Sequence, residues 1–209
     1  MFRSILNRGY RKINHTMKAT EKYNRIRNEI KNGDIILFRG SSLLSRTIQW
    51  GDSIDGKKAY YNHAGIAIKL GSRLLVVDSN APGIHLDFLS IRMAEYIDFC
   101  VVRINNGFSQ LEIDSCLNRV LDRVESSQIK YEFSLLPKIA ISRKFGIRLK
   151  FNDKENRDIC SMFCNQRFLS QCAGIKCMRD TLSKYDYLTP QDTLRYADGE
   201  LKVLFDDSK

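Results

Sequence analysis

Asn62-His63-Ala64-Gly65-Ile66-Ala67-Ile68-Lys69-Leu70-Gly71-Ser72-Arg73-Leu74-Leu75-Val76-Val77-Asp78-Ser79 holds two short apolar runs on either side of Gly71-Ser72. Runs of this length, rich in Ile and Val and joined by a Gly-containing dipeptide, predict a β-hairpin with strands at Ala64–Lys69 and Leu74–Asp78. Toward the N-terminus, Asp34–Phe38 is another strand-sized apolar run, closed by Arg39-Gly40. Toward the C-terminus, Pro82-Gly83 marks a turn before Ile84–Leu86, and Phe99–Ile104 reads as a further strand. The result is an antiparallel meander that begins near Asp34 and is broken by Asn105-Asn106-Gly107.

The flanks have a different period. Ile13, Met17, Thr20, Tyr23, Ile26 and Ile30 step by threes and fours, the spacing of an amphipathic helix, which Asn32-Gly33 ends. Ser41–Ile54 reads as a short helix or a folded loop. Ser109 with Glu112 forms a capping box ahead of Ile113, Leu117, Val120, Leu121 and Val124 at helical spacing. Tyr131–Leu149 reads as a basic loop. A helix is expected from Asp158 to Gln171, stopped by Gly174, and a Pro190-initiated helical turn over Thr189–Tyr196. Helix, sheet, helices is an α+β order rather than alternating βαβ, and no internal repeat is visible. The expected division is a basic helical extension over residues 1–31 and one domain over 32–209.

Composition sets bounds on function. The 209 residues are 43% hydrophobic, enough for a core and too much for wholesale disorder. No apolar run approaches the roughly 20 residues of a membrane-spanning helix. The net charge of +10 is concentrated in two places: residues 1–31 carry +7, and Phe133–Asn152 carries +5 from Lys138, Arg143, Lys144, Arg148 and Lys150. Such patches fit an anionic partner surface, phospholipid or nucleic acid, and equally fit solvated helix faces. Aromatics are not interleaved with the basic residues as a base-stacking platform requires, so nucleic acid ranks below lipid. Met1–Tyr10 is interrupted by Arg3 and Arg8, so a secretory leader is not expected. The expectation is a reducing cytosol with free thiols at Cys100, Cys116, Cys160, Cys164, Cys172 and Cys177.

Three short stretches carry residues capable of chemistry. His63 opens an apolar strand behind the small pair Ala64-Gly65, at a sheet rim with room for a partner helix; a lone His in such a place is more often structural. Cys160, in Asp158-Ile159-Cys160-Ser161-Met162-Phe163-Cys164, is expected in a first helical turn, where the helix dipole and free N–H groups favour thiolate. The bland alternative is a small buried hydrophobe, the role expected of Cys164. Asp78 ends the strand paired with that of His63, and counting outward from Gly71-Ser72 brings it near the level of His63 or Ala64. There it can orient an imidazole, or simply cap the next turn. One Cys, one His and one acid are the minimum parts of thiol nucleophilic catalysis. Cys160-x3-Cys164 and Cys172-x4-Cys177 are only loosely zinc-like. Neither phosphate-cradling glycine loop, GxSxG nor HExxH occurs.

In order and spacing these residues resemble the circularly permuted branch of the NlpC/P60 papain-like superfamily, in particular its bacterial YiiX/YebB-type and poxvirus members. The resemblance runs from Gly33-Asp34-Ile35-Ile36-Leu37-Phe38 through Asn62-His63-Ala64-Gly65 and Val76-Val77-Asp78-Ser79 to Ile159-Cys160-Ser161 and Leu188-Thr189-Pro190-Gln191-Asp192. It implies a papain-like fold, an antiparallel meander or barrel packed on helices, with the nucleophile at a helix N-terminus. It also implies Cys160 as nucleophile, His63 as general base, Asp78 as the orienting third residue, and Asp34 as a structural anchor. The expected activity is that of a thiol hydrolase or acyltransferase acting on an amide or ester, with a small-molecule, lipid or peptide acyl substrate. Neither cofactor nor metal is expected. The competing expectation is a catalytically silent module of the same fold, binding anionic lipid or nucleic acid through its basic patches. The cytosolic location extends, on the lipid reading, to the periphery of a membrane.

Overall fold

The computed structural model describes residues 19–53, 58–80, 83–105, 107–127, 130–131, 134–145, 157–170, 174–176, 188–195 and 199–208. A first helix, α1 (residues 19–26), leads into strand β1 (Ile35–Arg39) and helix α2 (Leu43–Asp52). Strands β2 (His63–Leu70), β3 (Arg73–Asn80) and β4 (Gly83–Phe88) follow as a meander. Helix α3 (Leu89–Glu95) then returns the chain to β5 (Asp98–Ile104). The second half holds α4 (Gln110–Ser127), the two-residue β6 (Lys130–Tyr131), α5 (Leu135–Phe145) and the two-residue β7 (Arg157–Asp158). It closes with α6 (Met162–Ser170), wound as a π-helix, α7 (Asp192–Arg195) and β8 (Leu201–Asp206).

The strands form one sheet in the order β7-β6-β4-β3-β2-β1-β5-β8. The six longer strands are mutually antiparallel, and only the β6–β7 pair is parallel. The sheet is open, so of the two expected forms the meander is present and the barrel is not. Both faces are covered, which is why β1 and β2 read as continuous apolar runs rather than alternating ones. On one face Ile35, Leu37, Ala64, Ile66, Val77 and Val102 pack against Ile113, Leu117 and Val120 of α4 and Phe163, Cys164 and Phe168 of α6. On the other, Ile36, Phe38, Ala67, Val76 and Val101 pack against Ile26 and Ile30 from the N-terminal segment and Leu89 and Met93 of α3. Burying an aliphatic side chain stabilises by about 1.5–3 kcal/mol, so these two layers dominate the fold's energetics. A third cluster joins α2 to α5 through Ile48, Leu136, Ile139 and Ile159.

Hairpin register follows from its two-residue loop. Leu70 pairs with Arg73, Gly71 takes the left-handed conformation (φ 59°), and Asp78 therefore falls opposite Gly65. That is one to two residues from the expected level. Because side chains alternate along a strand, Asp78, Gly65 and His63 still share a face, with Asp78 diagonal to His63. The capping box forms as expected: the Ser109 N–H donates to Glu112 Oε2 at 2.8 Å, and the Glu112 N–H to Ser109 Oγ at 3.3 Å.

Several elements depart from the sequence reading. The expected loop over Tyr131–Leu149 contains α5, and Arg143, counted in a surface patch, is buried. Asp158 belongs to β7 rather than to the helix, whose first residue is Cys160. Helix α3 and strand β8 were not expected at all. Ile13 and Met17, Arg148 and Lys150, and Cys172 and Cys177 lie outside the described residues. Among the described residues no helix is long and apolar enough to cross a membrane.

Candidate active site

His63 is the first residue of β2, so its ring stands at the end of the sheet rather than within it. Its Nε2 lies 2.8 Å from Asp78 Oδ2. With a carboxylate as partner, Nε2 carries the proton and donates, which leaves Nδ1 as the nitrogen free to serve a nucleophile. Cys160, at the start of the helix that continues as α6, lies close enough to the same imidazole to act on it electrostatically. The three residues singled out in the sequence are therefore brought together, and all three are buried.

Glycine at position 65 is needed for this. A Cβ there would lie 2.5 Å from Val76 Cγ2 and 3.2 Å from Asp78 Cβ. The small pair Ala64-Gly65 thus lets β3 place its carboxylate beside the ring.

Two residues of the α3 region complete the surroundings. Tyr96 stacks on the imidazole, centroids 5.5 Å apart and planes 5° from parallel, and Phe38 approaches at 6.0 Å. Arg92, one helical turn before Tyr96, places Nη2 3.2 Å from Asp78 Oδ1 and 3.0 Å from Asp87 Oδ2, and Nη1 2.9 Å from Glu95 Oε2. Arg92 holds one oxygen of Asp78 and His63 the other.

Burial alone would lower the pKa of His63. Opposing it are the electrostatic influence of Cys160, then that of Tyr96, then the hydrogen bond to Asp78, and the balance holds the imidazole well above its ordinary value. Burial also raises the Tyr96 phenol above its ordinary value, so at neutral pH Tyr96 is uncharged. The groups acting there are Cys160 and Asp78. The His63 ring is thus biased toward its protonated form where it lies between Cys160 and Asp78.

A pocket opens onto Cys160. It is small, and α2 and α5 supply most of its wall through Ile48, Leu136, Ile139 and Ala140. Asp52, Arg143 and Thr189 of its lining belong to a knot of buried polar groups. Thr189 Oγ1 donates to Asp52 Oδ1 at 2.7 Å, Arg195 Nη1 donates to the same oxygen at 2.9 Å, and Arg143 pairs with Asp192. Gln191 Oε1 accepts from the N–H groups of Tyr60 (2.8 Å) and Tyr61 (3.2 Å), directly before Asn62-His63. Asn62 is tied to Gly40 by reciprocal hydrogen bonds of 3.0 and 3.1 Å. Asp34 is an anchor: Arg103 donates to both its oxygens, at 2.8 and 2.7 Å.

Neither a protein-family model nor a curated protein sequence matches the chain. Among solved structures it is similar to the metalloprotein YiiX from Escherichia coli O157:H7. The identity is 16% and the TM-score 0.59, over 85% of this chain and 97% of that one. The chain shares the YiiX fold. That likeness concerns the fold alone. Among the described residues no group of three or more His, Cys, Asp or Glu side chains is arranged to hold a metal ion.

Sequence reasoning missed Arg92, Tyr96 and Gln191 as parts of the site. Arg92 lies in the short helix α3, which the sequence reading does not contain, and Tyr96 is the extended residue that ends it. Gln191 lies in a stretch that the family resemblance already picked out, without a role.

Proposed function

We propose that the protein is a cysteine hydrolase or acyltransferase of the circularly permuted NlpC/P60 papain-like type, with Cys160 as nucleophile, His63 as general base and Asp78 as its orienting partner. The observation that carries this reading is the chain of contacts from Cys160 through the His63 ring to Asp78, with the Nε2–Oδ2 bond at 2.8 Å. In this reading the Cys160 thiolate attacks an acyl carbon, and the imidazolium of His63 protonates the departing amine or alcohol as the C–N or C–O bond breaks. Water or another acceptor then adds to the acyl-thioester, giving its proton to His63 while the thiolate leaves. The first backbone N–H groups of the helix at Cys160 have no intrahelical acceptor and suit the developing oxyanion. Tyr96 and Arg92 act as positioning residues, one fixing the ring plane and the other the carboxylate. The apolar side chains of Ile48, Leu136 and Ile139 beside Cys160 favour an apolar group next to the scissile bond.

The test is to trap the intermediate. Incubation with p-nitrophenyl esters of increasing chain length, followed by intact-mass and peptide analysis, should show one acyl group on Cys160, released by hydroxylamine and absent in Cys160→Ser. Acylation spread over the thiols, or none under conditions where His63→Ala behaves like wild type, would remove the catalytic reading in favour of a silent module.

A further inference from the structure

Helices α2 and α5 have an inner and an outer face. The inner faces wall the pocket at Cys160. The helices touch where a Cβ on Gly51 would lie 2.3 Å from Ala140 Cβ, so their outer faces form one continuous surface. That surface is unusually apolar for a solvent-facing one: Leu43 is 82% exposed, Phe145 65% and Trp50 51%, with Ile141 and Leu44 also exposed. It also carries Arg46, Lys138 and Lys144, and the Lys144 ammonium sits 5.7 Å from the Trp50 ring centroid. Neither helix exposes an acid; their one carboxylate, Asp52, is buried.

We propose that this outer face is a docking surface for an anionic phospholipid bilayer. Aliphatic tips flanked by cations, with a tryptophan beside an ammonium, match the headgroup–acyl boundary, where an indole is buried while the charge stays wet. The absence of exposed acid removes the repulsion that anionic headgroups would otherwise meet. In the described part of the other basic segment, residues 19–31, Ile26 and Ile30 are packed on the sheet, and Lys22 pairs with Asp98 and Asp207. Docking by α2 and α5 would set the bilayer against the helices that wall the Cys160 pocket.

Trp50 is the only tryptophan in the chain, so the intact protein reports on this face by itself. Vesicles of phosphatidylcholine, with and without phosphatidylglycerol, are titrated into the full chain while Trp50 emission and its quenching by brominated acyl chains are followed. With the anionic vesicles the emission should shift to the blue and be quenched. Leu43→Ser/Phe145→Ser, both exposed and expected to leave the melting temperature unchanged, should weaken partitioning by about tenfold or more. Lys138→Gln/Lys144→Gln should abolish the preference for anionic vesicles. Failure of the wild-type protein to bind overturns the proposal, as does binding that leaves Trp50 unquenched and is indifferent to Leu43→Ser/Phe145→Ser. No turnover is required, so this result stands or falls separately from the thiol chemistry.

Discussion

Gly65→Ala perturbs the site without touching any of its three reacting residues. The added Cβ would lie 2.5 Å from Val76 Cγ2, 3.2 Å from Asp78 Cβ and 3.2 Å from the Val77 carbonyl oxygen. A contact of 2.5 Å cannot stand, and both strands are buried on both faces, so relief must come from a shift of β3 against β2. Overpacking of this kind costs about 1–3 kcal/mol. At about 2–4 °C per kcal/mol for a chain of this size, the melting temperature should fall by roughly 2–12 °C. The shift also moves Asp78 relative to His63, so acylation of Cys160 should fall with stability. Val76→Ala removes the clashing methyl at a cost of about 2 kcal/mol for the cavity it leaves. The double variant should therefore be less destabilised than the two singles combined, by about 1 kcal/mol or more. Urea denaturation of the four proteins measures this. Additivity within about 0.5 kcal/mol would refute the claim that this contact sets the spacing of the hairpin.

Asp78→Asn keeps the shape and removes the charge. The alkaline limb of Cys160 reactivity should move to lower pH by about one unit or more, since an opposite charge at this range raises an imidazole by that amount. Stability carries the same signature. Because the folded pKa of His63 is raised, its contribution is complete below the unfolded value of about 6.5 and is lost as pH rises through the folded one. The melting temperature of the wild-type protein should therefore decline on the alkaline side, and that of Asp78→Asn should be flatter there. Arg143→Met leaves Asp52 and Asp192 buried with one cation fewer and should cost about 3–5 kcal/mol in chemical denaturation. Lys138→Met, on the exposed side of the same helix, should stay within about 0.5 kcal/mol.

The meander was legible because its apolar runs are short, separated by turn residues and joined at Gly71-Ser72 by a loop that fixes register. Once Asp78 and His63 share a face of neighbouring strands, their meeting needs no further information. The barrel was an error about closure, which strand patterns do not encode. Helix α5 was obscured because its periodicity is blurred on both sides: Ile141 and Phe145 face outward, while Ser142 and Arg143 are buried. A charged residue in the interior is legible only from its partners, and Asp52 and Asp192 lie far away in sequence. Helix α3 has no start signal, since Phe88 at its N-cap makes no side-chain hydrogen bond. Strand β8 is an edge strand with Lys202 and Val203 exposed, which weakens its alternation. Apolar spacing also gives no indication that Met162–Ser170 is wound as a π-helix, a form that recurs near functional sites.

The central claim is that Cys160 and His63 form a thiolate–imidazolium pair, and alkylation kinetics test it most directly. Iodoacetamide reactivity of each cysteine is followed against pH by peptide-resolved mass spectrometry in the wild-type protein and in His63→Ala. The account predicts that Cys160 alone reacts well below the roughly 8.5 of a free thiol, and that His63→Ala abolishes this. A Cys160 that titrates as an ordinary thiol, or whose reactivity survives the loss of His63, would contradict it.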